Sequence, residues 1–283
     1  MKMKLFSAFA VVLLLASCGS KERQPIIGGG YGIGELDGES REGFWQFFTA
    51  DEKLESEGNY ENNLAQGEWK FYYPDGTIEE ISVWKDDIVH GNFEYYHENG
   101  NMHSKGEYDM DKKIGHWTWY YENGQIEVEG DYHNDMSDGT WKWYYENGQL
   151  EEESVLVDSL FHGPSVTFYE DGTKQSEGEY VDDYQSGEWR FWYEDGTLEE
   201  VSNWKDGELD GHSEDYHENG EKKFEGTYDM GVENGTFTWY YENGQKEITG
   251  EYVGGLEQGD FVYYNEDGSL DIKIAYKDGE VVE

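Results

Sequence analysis

The chain is 283 residues long and carries 64 acidic against 20 basic side chains, a formal net charge of −44. Charge of that sign excludes sequence-independent binding to nucleic acid or to an anionic membrane face, both of which need a basic patch, and it is compatible with a basic partner. A mean hydropathy of −0.93 would suit disorder, but 24 Tyr, 13 Phe and 11 Trp supply the large rings that acidic disordered chains lack.

Lys2 and Lys4 precede an apolar run from Leu5 to Ala16, too short to span a bilayer and shaped like an export signal. The residues Leu15-Ala16-Ser17-Cys18 resemble the lipobox of bacterial lipoproteins, in which the cysteine thiol is lipidated and becomes the mature N-terminus. Residues 1–17 therefore read as a signal peptide and Cys18 as the lipid acceptor. As the single cysteine of the chain, it leaves no partner for an intramolecular disulfide. Gly19 follows, not the Asp that similar lipoproteins use for inner-membrane retention, so the expectation is an exported protein of the bacterial outer membrane, on either its periplasmic or its surface side. Residues 18–42, rich in glycine at Gly28-Gly29-Gly30, Gly32, Gly34 and Gly38, read as a flexible tether.

From Gly43 to the C-terminus a glycine recurs every 24 residues, at 43, 67, 91, 115, 139, 163, 187, 211, 235 and 259, over ten units without insertion or deletion. The second residue after it is aromatic in eight units, the fourth in eight and the fifth in all ten, from Phe48 and Tyr72 to Tyr264. Aromatic residues with period-two alternation predict a strand. Pro74-Asp75-Gly76, or Glu-Asn-Gly elsewhere, then predicts a type I turn with a left-handed glycine. A second strand ends near the aromatic at position seventeen, and an acidic connection such as Lys85-Asp86-Asp87 leads to the next glycine. One unit is thus one β-hairpin. The fold expected is all-β, an elongated single sheet of stacked hairpins over residues 43–283, because a lone hairpin is marginal in water. A period of 24 is also compatible with a parallel solenoid rung.

The segment Tyr60 to Tyr73, with Gly67-Glu68-Trp69-Lys70-Phe71-Tyr72, followed by Asp75-Gly76, resembles a MORN repeat, and it is more similar to the bacterial variant repeats labelled YwqK-like antitoxins. That resemblance implies hairpins in one sheet and a binding role, including the antitoxin-like one of the label. It departs from the common pattern in having Trp or Phe, not Gly, two residues after the first glycine, and in its period. A longer repeat is also present: the units at Gly67 and Gly187, 120 residues apart, share 14 of 24 positions. Duplication in blocks suits a spacer or a repetitive binding surface better than one catalytic pocket.

Chemistry-bearing motifs are few. His97 and His217 stand at the same position 120 residues apart, where other units have a ladder tyrosine, and no second His or Cys lies at a metal-ligand spacing. The pairs Glu79-Glu80 and Glu199-Glu200 recur by block duplication and read as a solvated face. No catalytic residue, metal ligand or cofactor is expected, and the protein reads as a non-enzymatic interaction or scaffold module for a protein partner, with membrane contact through the lipid anchor alone. Glycan binding by exposed aromatic rows is the alternative. The candidate partner-binding residues lie where the second and fourth rings are lost together, at Ser165 and Thr167 and at Ser213 and Asp215, beside the retained Trp189 and Trp192. The expectation there is a polar notch in an aromatic face.

Overall fold

Two kinds of turn alternate along the chain, and each is written in a few residues. In the first, Gly76 N–H donates to Tyr73 O at 2.9 Å and Tyr73 N–H donates to Thr77 O at 2.9 Å. Gly76 sits at φ 94°, a conformation that costs glycine little, and the pairing slips one residue between Phe71 and Tyr72, as the expected bulged turn requires. The second kind is the acidic connection, which is a two-residue turn. Asp86 and Asp87 both have positive φ, 53° and 66°, the signature of a type I′ hairpin turn, and Asn and Asp are the non-glycine residues that tolerate it best.

That second turn also fastens hairpin to hairpin. Asp87 N–H donates to Ala65 O at 3.2 Å while Ala65 N–H donates to Asp87 Oδ1 at 2.6 Å. The same exchange joins Asp111 to Val89 and Asp183 to Phe161. At the opposite edge the Tyr73 hydroxyl donates to Tyr96 O at 2.5 Å, and His97 Nε2 stands 2.9 Å from Tyr120 O, so the histidine makes the bond of the tyrosine it replaces.

The computed structural model describes residues 21–26 and 29–282; the expected signal peptide, residues 1–17, and Cys18 lie outside them. Among the described residues there are 24 strands and no helix. The chain divides into two compact units, residues 1–136 and 137–283. In the first, strands follow one another from Glu22–Pro25 through Leu64–Tyr72 and Ile78–Lys85 to Ile126–His133. Each of these pairs antiparallel with its sequence neighbour. The second unit repeats the pattern from the strand Met136–Tyr144, which opens at the boundary, to Leu270–Lys277 and the short Glu280–Val281. Each unit is an open antiparallel meander of hairpins. A parallel rung is excluded, since Gly67 to Tyr72 pair with Trp84 to Ile78 across the Asp75-Gly76 turn.

The sheet begins earlier than the sequence suggests. Glu22–Pro25 and Tyr31–Asp37 are strands, and Tyr31 pairs with Phe48, so this part of the 18–42 segment continues the first unit instead of forming a tether. Its glycines have a packing reason: a Cβ on Gly34 would lie 2.2 Å from the Trp45 ring. The same relation recurs throughout. Trp69, Trp117 and Trp189 lie flat on Gly58, Gly106 and Gly178, where an added Cβ would meet the ring at 2.2 Å. The indole Nε1 then donates to the carbonyl of Asn59, Glu107 or Glu179 at 3.1–3.2 Å. Burying such a ring stabilises by about 4 kcal/mol as an upper estimate. The core of the first unit includes Trp45, Phe47, Ala65 and Trp69, with Tyr60, Phe71 and Trp84 packed against them.

Candidate interaction surfaces

Strand alternation gives each sheet two unlike faces. On the first lie the second, fourth and seventeenth positions. Trp117, Trp119 and Tyr132 surround the Lys113 ammonium at 4.6, 4.9 and 4.9 Å from their centroids, and burial lowers the pKa of that lysine. Arg41 takes the same place over Trp45, Phe47 and Tyr60. The rings that pack the core and hold the chain's own cations are therefore structural.

The candidate residues at the two interruptions do not form one site. Ser165 and Ser213 are each 4% exposed and Trp189 is 2% exposed. The two serines are four strands apart, roughly 19 Å at normal strand spacing. In each case the position opposite is serine where most other units have glycine: Ser154 faces Ser165, and Ser202 faces Ser213. The Ser154 hydroxyl lies 2.7 Å from both Ser165 Oγ and Glu152 Oε1, Thr167 Oγ1 is 2.7 Å from Ser176 Oγ, and Trp204 Nε1 donates to Ser202 Oγ at 2.8 Å. Phe161 moves in beside the first interruption, 6.1 Å from Trp143 and 5.4 Å from Tyr180 between centroids. At Ser165 and Thr167 the missing rings thus leave hydroxyl pairs, and a shallow cavity of about 330 Å³ lined by Val155, Pro164, Ser165, Val166 and Glu177 lies at that interruption. Trp192, an odd number of positions from Trp189, faces the other way.

Asp215 is the polar residue of this face with the largest electrostatic consequence. It pairs across the sheet with Glu200, and burial, reinforced by the Glu200 carboxylate, pushes its pKa up to about 6. Glu80 is raised as well, by burial, against the hydrogen bond from Ser82. The Glu79-Glu80 and Glu199-Glu200 pairs are half-buried, so they differ from the solvated face expected of them. The period-two pattern places Glu80 and Glu200 on the ring face, and that was readable from their registers opposite Tyr95 and Asp215 once the turn was placed.

The second face carries the fifth-position rings, all half-buried, from Phe48, Tyr72, Tyr96 and Tyr120 in the first unit to Trp192, Tyr216 and Tyr240 in the second. Their hydroxyls donate to carboxylates: Tyr72 to Glu57 at 2.7 Å, Tyr96 to Glu94 at 2.5 Å and Tyr240 to Glu225 at 2.5 Å. Burial and these carboxylates raise each of the three phenols to about 12, which keeps them donors. His212, Glu214 and Glu225 bring three ligand atoms together, but the Lys222 ammonium bonds Glu214 at 2.9 Å and Glu225 at 2.8 Å and, with Tyr216, holds Glu214 down at about 2. The arrangement is that of an ion-pair cluster, with lysine as its cation. At the bulged-turn edge of the second unit Glu170, Glu194, Glu218, Glu242 and Glu266 recur once per hairpin, all exposed.

Among known proteins, the MORN repeat variant family (MORN_2) matches eight consecutive segments, 65–86, 89–110, 113–134, 137–157, 161–182, 185–206, 209–230 and 233–253. No curated protein matches the chain. Two solved structures are similar in part, titled "Crystal Structure of TcdB2-TccC3-Cdc42" (11% identity, 82% of this chain and 14% of that one, TM-score 0.18) and "Crystal Structure of TcdB2-TccC3-TEV" (10%, 92% and 20%, 0.19). The chain spans less than a quarter of either, and at such scores the likeness carries no argument. The eight matched segments fall on the hairpins built above and cover more than half of the sequence, and the chain therefore belongs to the MORN repeat variant family.

Proposed function

We propose that the protein is a non-catalytic, lipid-anchored scaffold that presents its repeated second face to a protein partner. MORN repeats are generally protein- or membrane-interaction modules, and the observation that carries the reading is the asymmetry of the two faces. The first buries its second-position rings, with the half-buried fourth- and seventeenth-position rings packed around them and around the chain's own Arg41 and Lys113. The second leaves a ring half-exposed in every hairpin, beside carboxylates. The anchor rests on the lipobox-like residues around Cys18, and with it come export and the bacterial outer membrane. Toxin binding of the kind the antitoxin label implies is one form of this role. Glycan binding is the competing reading, favoured by the same row of rings, which recur about 9.6 Å apart at two strand spacings.

The test has two arms. Labelling with a fatty-acid analogue should mark the wild type and not Cys18→Ala, and crosslinking on intact cells should capture a protein through the described repeats. Absence of label in the wild type would remove the anchor from the proposal. Capture of oligosaccharide by the purified chain, with no crosslinked protein, would favour the glycan reading.

A further inference from the structure

The bulged turn of one hairpin in the first unit brings together two histidines that their spacing in the sequence does not flag. His97 opens the turn, its N–H donating to Asn101 O at 2.8 Å, and His103 is the extra residue of the bulge, left without a cross-strand partner between the Tyr95–Ser104 and Tyr96–Met102 pairs. Bulges re-aim side chains, and here the two imidazoles lie 4.8 Å apart between centroids, with their planes at 66°. His97 Nε2 is 2.9 Å from Tyr120 O. A carbonyl only accepts, so Nε2 carries the proton and the lone pair of the neutral ring is at Nδ1. His103 Nδ1 is a buried atom with no hydrogen-bond partner, a condition that in a folded protein points to a bound water or ion. Burial, and after it the neighbouring His97, lowers the His103 pKa against the pull of the Glu127 carboxylate. The ring is therefore neutral at pH 7, the form that ligates a metal.

We propose that His97 and His103 together bind a first-row divalent ion of the class that imidazole suits: zinc, nickel or copper. Two imidazoles on one ion, with metal–nitrogen bonds of about 2.0–2.1 Å and an angle between them of about 90–110°, have centroids roughly 4.5–5.2 Å apart, a range that contains the separation of this pair. The Nε2–H bond of His97 to Tyr120 O is the kind of outer contact that fixes the tautomer and the orientation of a ligating histidine. Glu127, half-buried and near enough for its charge to act on His103, supplies a neighbouring carboxylate, and water completes the shell. The 120-residue duplication gives an internal contrast. In the second unit His217 Nε2 repeats the bond of His97, 2.9 Å from Tyr240 O, but Lys223 stands for His103. An ammonium has no lone pair to offer, so one site per chain is expected. The cluster of His212, Glu214 and Glu225 is a separate place, where the Lys222 ammonium is already the cation.

The site depends neither on the anchor nor on a protein partner, and it is tested apart from both. The probe is Cu²⁺ alone, titrated into the full chain at pH 7 with about 5 mM Mg²⁺ present to occupy the hard carboxylate sites without competing for imidazole. Binding is read by electron paramagnetic resonance. The expected result is one ion per chain with two nitrogens in its coordination shell, displaced by Zn²⁺. His97→Tyr installs the residue that most other units carry at this place, and His103→Lys copies the second unit. Each should weaken binding at least tenfold and remove the two-nitrogen signature. His116→Thr and His212→Thr, which delete histidines held by carboxylates elsewhere, should change affinity less than twofold and leave the spectrum as it is. Melting curves of all four variants establish that they fold. A wild-type chain that shows no copper bound through two nitrogens would overturn the proposal. So would a spectrum unchanged in His103→Lys, or a loss in His116→Thr or His212→Thr equal to that in His97→Tyr, which would move the ion to one of those histidines.

Discussion

The ring face around Trp117 and the ring face around Ser165 solve one packing problem in two ways. At Trp117 an indole lies flat on the backbone of Gly106. At Ser165 a small side chain meets a small side chain, Ser154, through a 2.7 Å hydrogen bond, and Phe161 closes in from the side. An intermediate exists, where Phe93 faces Ser82. Ring and glycine therefore behave as one structural element spread over two strands, and losing the ring goes with losing the glycine. The lesson is that degeneracy within a repeat can be compensated across strands, so a missing aromatic is not by itself a binding site.

The comparison can be broken at the glycine. Gly106→Val places its Cβ 2.2 Å from the Trp117 ring, so the ring must leave; a loss of about 3 kcal/mol or more is expected in chemical denaturation. Gly124 differs in kind. Its φ is 87° with nothing within 4 Å of an added Cβ, so Gly124→Ala should cost about 1 kcal/mol from backbone strain alone. A larger loss at Gly124 than at Gly106 would show that the turns, and not the ring–glycine contacts, dominate stability.

The polar interruption at Ser213 can be sharpened through Asp215. Its folded pKa, raised to about 6, lies above the unfolded value, so the native state binds the proton more tightly. Stability from this group is fully present below about pH 4 and is lost as pH rises through 6. Two units would correspond to about 3 kcal/mol, reduced to about 1 by partial exposure to solvent. Asp215→Asn should accordingly stabilise by about 1 kcal/mol at pH 7 and by nearly nothing at pH 3.5. Equal effects at both pH values in thermal melts would remove the carboxylate's burial from the account.

Much of this was legible in the residues, and the exceptions have physical reasons. The period, the bulged turn at Asp75-Gly76 and the ladder from Phe48 to Tyr264 follow from residue types whose preferences are strong and local. The Asp86-Asp87 turn was not legible as a turn, because two acids also suit a solvated loop; its signal is that Asp or Asn recurs there where φ is positive. The role of Gly58 and Gly106 depends on a ring eleven residues later, across a strand, and only the register reveals it. The strands at Glu22–Pro25 and Tyr31–Asp37 were hidden by glycine-rich composition that serves Trp45. The interruption at Ser165 was visible, but its compensation by Ser154 and Phe161 lies on neighbouring strands.

The most direct test of the ring–glycine element is a double-mutant cycle at the interruption itself, Ser165→Trp with Ser154→Gly, read by equilibrium denaturation. Ser165→Trp alone should destabilise by about 2 kcal/mol, since its indole meets the Ser154 side chain, and Ser154→Gly alone by about 1 kcal/mol for the lost hydrogen bond. The pair should recover at least about 1.5 kcal/mol of their sum as coupling. Additivity within about 0.5 kcal/mol would contradict the claim that a ring and the glycine facing it form a single element.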